Sequence, residues 1–128
     1  MKIKKVRITI RSLKEANKEA RKFAHDFDSG IFTEHTPTIG FADFAIYKNF
    51  LSEKRLELLG IIKSKKPKSI KDLASIARRD FKNVYEDLKM LKTFDLVKFK
   101  KTKSGIVPTV VYDEIDLDIK IPIEMISR

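Results

Sequence analysis

The sequence has no cysteine, which excludes a disulfide framework and any thiolate metal site and fits a reducing compartment. Its two histidines are too few to build a zinc finger in their place. Long apolar runs are missing too. Leu58-Leu59-Gly60-Ile61-Ile62 is among the longest, whereas a membrane-spanning helix needs roughly 20 such residues. The opening MKIKKVRITIRS alternates apolar and polar residues where a signal peptide needs a continuous apolar stretch, so secretion is not expected. No Gly-rich phosphate loop, nucleophile motif or inward pair of carboxylates is visible, which argues against an enzyme and gives no reason to expect a cofactor. These absences lead to an expectation of a cytoplasmic chain with no membrane partner.

The net charge of +10 is unevenly placed. Residues 1–51 hold 10 Lys/Arg against 6 Asp/Glu, residues 52–112 hold 16 against 7, and residues 113–128 hold 2 against 5. Basicity concentrated in the middle segment suits a polyanion, either nucleic acid or an anionic membrane surface; a lysine-rich solubilising exterior is the alternative.

The 128 residues fit one domain with an attached element. Residues 3–10 alternate as a strand. Ser12 with Glu15 forms a capping box for a helix of about four turns, with Leu13, Ala16, Ala20, Phe23, Ala24 and Phe27 on one face and Gly30 as its stop. Residues 31–40 read as a connector and residues 41–51 as a short helix or a strand. Ser52 caps a helix to about Ser64, with Leu56, Leu59 and Ile62 inward. Ser69 caps the next, with Ile70, Leu73, Ala74 and Ala77 inward. Asp80 opens a third helix to about Thr93, whose stripe is Phe81, Val84, Leu88 and Leu91. Residues 96–100 and 106–112 then pair as a hairpin across Gly105. The tail DEIDLDIKIP reads as a strand with one wet acidic face, and metal binding is its weaker reading. His25 with Asp26 and Asp28, and Glu34 with His35, lack a fixed metal-ligand spacing.

Helix, helix, short turn, helix, hairpin is the order of a winged helix-turn-helix. The expectation is therefore an α+β fold, with an N-terminal strand-helix extension over residues 1–51 and a winged helix-turn-helix over residues 52–128. At RRDFKNVYEDLKMLKTFDLVKF, residues 78–99, the chain resembles a family of predicted prokaryotic transcriptional regulators with a winged-helix domain, common in archaea. Arg79, Asp80, Phe81, Lys82, Asn83, Val84, Tyr85, Asp87, Leu88, Leu91, Leu96 and Val97 match that family's pattern, and the likeness spans residues 51 to about 112. Asp95 stands where the family usually has Gly; Asp tolerates the left-handed conformation better than most residues. The resemblance implies DNA binding.

A helix about 10–12 Å across fits the major groove, with the hairpin beside it on the backbone or minor groove. On that expectation the helix of residues 80–93 reads bases. Its stripe leaves Lys82, Asn83, Tyr85, Glu86 and Lys89 outward. Asn83 suits adenine or a capping role; Glu86 suits a cytosine amine or, together with Asp87, a nearby lysine. Arg78, Arg79 and the wing lysines Lys98, Lys100, Lys101 and Lys103 suit phosphates. Phe81 is expected in the core. The leading expectation is sequence-specific binding of double-stranded DNA as a homodimer, with the N-terminal part as the dimer surface. The alternatives are an antitoxin that binds DNA and a protein toxin, or a winged helix that binds RNA or protein.

Overall fold

The computed structural model describes residues 3–11, 13–30 and 36–119. In chain order the elements are β1 (Lys5–Ile10), α1 (Leu13–Asp28), β2 (Thr38–Phe41), α2 (Phe44–Phe50), α3 (Glu53–Lys65), α4 (Ile70–Ala77), α5 (Phe81–Thr93), β3 (Lys98–Thr102), β4 (Gly105–Thr109) and β5 (Glu114–Ile119), a mixed α+β chain. They divide into two units. The described residues of Met1–Asn49 and Asp113–Arg128 form the first, and Phe50–Tyr112 forms the second. The expected division at residues 51 and 52 is thus corrected at the tail, which joins the N-terminal unit.

The first unit is built on a parallel sheet in the order β2-β1-β5. Its centre is β1, where β-branched Val6, Ile8 and Ile10 are at most 1% exposed. Parallel neighbours need a long crossover, which α1 supplies between β1 and β2. The register sets Lys5 beside Glu114 and Arg7 beside Asp116. Lys5 Nζ lies 3.6 Å from Glu114 Oε2, so the acidic face of the tail strand meets the basic face of β1. Opposite charges paired across strands stabilise a sheet by roughly 0.2–1 kcal/mol each. The expected connector over residues 31–40 contains β2 at its end; four residues with a central glycine give no periodic signal long enough to read. Asp43 Oδ1 accepts from the Ile46 amide at 2.9 Å at the start of α2. Ser12, Glu34 and His35, and the side chains of Leu13 and Phe27, lie outside the described residues.

In the second unit three helices and an antiparallel hairpin enclose one core. Ser52 Oγ accepts from the Arg55 amide and Ser69 Oγ from the Asp72 amide, so both expected caps are made. Leu58, Leu59 and Ile62 of α3, Ile70, Leu73 and Ala74 of α4, and Val84, Leu88 and Leu91 of α5 are buried. Leu96 and Val97 join them in the turn before β3, and Pro108 in β4. Each fully buried aliphatic side chain contributes about 1.5–3 kcal/mol by leaving water. Two expected core positions are corrected: Leu56 is 44% exposed and Phe81 48%. In α3 the buried pair Leu58-Leu59 with Ile62 sets the inward face, and Leu56 falls beside it. At Phe81 the helix has only begun, so its ring leans over the surface of α5. No helix among the described residues is long and apolar enough to cross a membrane.

Candidate functional site

The link from α4 to α5 is only Arg78-Arg79-Asp80. Arg78 turns left-handed at φ 56°. Its amide donates to Ser75 O, while the Arg79 amide donates to Ala74 O, which is a Schellman ending made without glycine. Asp80 takes the extended N-cap conformation expected of it, but its side chain makes no capping hydrogen bond. So short a link fixes where α5 starts.

The periodicity of α5 then sorts its side chains. Val84, Leu88 and Leu91 are buried, and the opposite face carries Lys82, Glu86, Lys89 and Thr93, all exposed and spaced i, i+4, i+7 and i+11. Lys89 Nζ lies 3.8 Å from Glu86 Oε2, a half-exposed pair of the kind expected for Glu86. Asn83 is exposed on one flank with Met90. Tyr85 falls on the other flank and is half-buried, so it does not share the outward row expected for it. Its ring lies 6.0 Å from that of Phe81 with 6° between planes, and 6.4 Å from that of Phe99 on β3 with 22° between planes. Lys89 Nζ stands 5.3 Å from the Tyr85 ring centre and Lys92 Nζ 5.0 Å from that of Phe99. Three aromatic rings therefore run from α5 to the hairpin with two ammonium groups over them, a pattern the sequence reading missed. Its signal was the i, i+4 spacing of Phe81 and Tyr85, which the reading split between core and groove.

The hairpin pairs Lys98 with Thr109 and Thr102 with Gly105. Lys103 and Ser104 form its tip, where Thr102 Oγ1 accepts from the Ser104 amide and Gly105 adopts φ 120°. Lys98, Lys100, Lys101 and Lys103 are all exposed. Asp95 adopts φ 61°, the left-handed turn its position suggested.

Arg78 and Arg79 separate in kind. Arg78 is exposed. Arg79 has a side chain only 20% exposed, and its Nη2 donates to Asp87 Oδ2 at 2.7 Å. The other Asp87 oxygen accepts from Arg55 Nε at 3.1 Å, and Arg55 Nη1 donates to Phe50 O. Asp87 thus ties α3, the α4–α5 link and α5 together, and the phosphate role expected of Arg79 competes with a structural one. The reading of Asp87 as a partner of nearby lysines is replaced by this arginine pair.

The first unit holds an open cleft of about 870 Å³ between α1 and the sheet, lined among others by Arg7, Arg11, Glu19, Phe23 and Phe41. Glu19 is paired with Arg11, whose Nε also donates to Thr9 Oγ1, so much of the positive charge there is answered from within. Among the described residues no group of three or more His, Asp or Glu side chains is gathered for a metal ion.

The second unit therefore offers an exposed basic helix face, a basic hairpin and a lysine-flanked aromatic row. Such an arrangement can neutralise the charges of a polyanion and meet flat or apolar groups beside them. No curated protein and no solved structure matches the chain. A family model, HVO_A0114, matches residues 50–117, just over half of the chain, which takes in α3, α4, α5, the hairpin and the first residues of β5. The chain belongs to the HVO_A0114 family.

Proposed function

We propose that this chain is a winged-helix protein that binds double-stranded DNA in a sequence-specific manner and regulates transcription in the cytoplasm. The observation that carries the reading is the outward row of Lys82, Glu86, Lys89 and Thr93 on a helix whose other face is locked in the core. A helix held in that way can enter the major groove as a rigid body, with Lys82 placed for guanine or phosphate and Glu86 for a cytosine amine. Asn83, on the flank, is placed for the edge of an adjacent base. The lysines of β3 and its tip take phosphates, and Arg78 does so at the helix start.

A single winged helix reads a short half-site, so we extend the proposal to a homodimer. Helix α1 supports it with an amphipathic surface on which Ala16, Ala20 and Ala24 are exposed beside a half-exposed Phe23. Sedimentation of a monomer at high concentration, free and on DNA, would exclude this extension.

The test is selection of bound genomic fragments with the purified chain, then competition of the selected site against its single-base variants and random duplex. Glu86→Ala or Asn83→Ala should cost about 1–3 kcal/mol on the selected site and relax preference at one base pair. Lys101→Ala should weaken selected and random duplex alike, because phosphate contacts carry no sequence information directly. Unchanged base preference in both helix variants would remove α5 as the reading element.

A further inference from the structure

From the aromatic row we infer that the second unit also binds unpaired nucleic-acid bases, which stack on Phe81 and extend the Phe81–Tyr85–Phe99 ladder. A half-exposed Phe at a helix start serves no core, since Val84, Leu88 and Leu91 fill that side of α5. Its ring is nearly parallel to that of Tyr85, so a flat group laid on it continues a stack already ordered by the protein. Order that is already present lowers the entropic cost of binding.

The surroundings select the ligand. Lys82 is exposed next to Phe81, and Lys89 and Lys92 stand over the rings further along the row. On β3 the exposed Lys101, two residues on, shares the strand face of Phe99. Glu86 is paired with Lys89 on the same helix. A ligand with flat apolar faces joined by an anionic backbone fits a row of rings bordered by cations. A single strand of DNA or RNA has that chemistry, because every base has a π-face and each nucleotide one phosphate. An apolar protein partner has no use for the ammonium border.

The inference does not depend on duplex recognition, because a single strand has no major groove for α5 to enter. It assigns Phe81 as the stacking residue, Tyr85 as its support, and Lys82 and Lys89 as phosphate partners. When a strand binds, the Lys89 ammonium moves from the Tyr85 ring to a phosphate, and no bond is made or broken.

The experiment is anisotropy titration of the full chain with labelled strands of roughly 15 nucleotides, within the usual site size for such surfaces. The strands are oligo-dT, oligo-U and an abasic deoxyribose-phosphate strand of equal charge, at one salt concentration, with a random duplex alongside. The expected result is tighter binding of oligo-dT or oligo-U than of the abasic strand. Oligo-dU, which differs from oligo-U only in the sugar, is titrated beside them, and whichever of these two binds more tightly identifies DNA or RNA as the source. Phe81→Leu, which keeps the apolar bulk at a half-exposed site, should lose about 5- to 150-fold on the base-bearing strand and leave the abasic strand unchanged. Phe81→Tyr should restore binding. Equal affinity for abasic and base-bearing strands, or an equal loss on both in Phe81→Leu, overturns the inference. Selective duplex binding with no preference for bases in single strands would sink this inference alone. Base-dependent single-strand binding without a preferred duplex would sink the duplex proposal alone.

Discussion

Arg79 is the residue at which a structural and a DNA-binding role can be separated by measurement. Its Nη2 bonds Asp87 at 2.7 Å, and the Arg79, Asp87 and Arg55 side chains are 20%, 17% and 18% exposed, so water screens the contact only partly. A hydrogen bond to a charged group contributes about 1.5–3 kcal/mol. Arg79→Ala should therefore lose about 2 kcal/mol, because Arg55 still compensates the carboxylate. Asp87→Ala should lose more, about 3–5 kcal/mol, because it leaves two half-buried guanidinium groups facing each other without an anion. With a urea slope of about 2 kcal/mol per molar, Arg79→Ala lowers the unfolding midpoint by about 1 M. The assay is urea unfolding followed by far-ultraviolet circular dichroism, completed by the Arg79→Ala/Asp87→Ala double mutant. The coupling between the two should be about 0.5–3 kcal/mol. An unfolding free energy for Arg79→Ala within about 0.5 kcal/mol of the parent would refute the structural role and return Arg79 to the phosphate contacts.

Three further outcomes are expected. Arg78→Gly removes a left-handed conformation that costs a side-chain-bearing residue roughly 1 kcal/mol, so stability should rise in urea unfolding while the log–log salt slope of duplex binding falls by about 1; lower stability would show that the turn gains from the arginine. Leu88→Ala should destabilise by about 2–5 kcal/mol and Phe81→Ala by less than about 1 kcal/mol, and equal losses would place Phe81 in the core. Asp116→Lys, beside Arg7 in the parallel register, should cost about 0.5–1 kcal/mol by thermal melting, and a neutral result would argue against the pairing of β1 with β5.

The elements of the second unit were legible because their signals are local. Ser52 and Ser69 cap the next turn through their own hydroxyls, and the spacing of Val84, Leu88 and Leu91 marks a buried face without reference to any neighbour. The left-handed turn at Asp95 and the glycine at the hairpin tip belong to the same class. So does the outward row of Lys82, Glu86 and Lys89, since knowing one face of a helix gives the other.

What the sequence did not disclose depends on residues far apart in the chain. The acidic tail was readable as a strand, but only its register beside β1, more than 100 residues away, shows that Glu114 answers Lys5 and that Asp116 lies beside Arg7. Asp87 looked like a partner for lysines one turn away, whereas the fold brings Arg55 from another helix to it and so removes Arg79 from the fully exposed set. Phe81 fits the apolar stripe by count but precedes the point where the core closes over α5, so packing leaves it outside against Tyr85. Sequence by itself determined the three helices of the second unit, the caps at Ser52 and Ser69, the hairpin and the basic character of residues 52–112, because those follow from short-range spacing and composition. Tertiary structure alone decided which charges are answered and which rings are stacked, because contact energies fall off over a few ångströms and only the folded chain sets those distances.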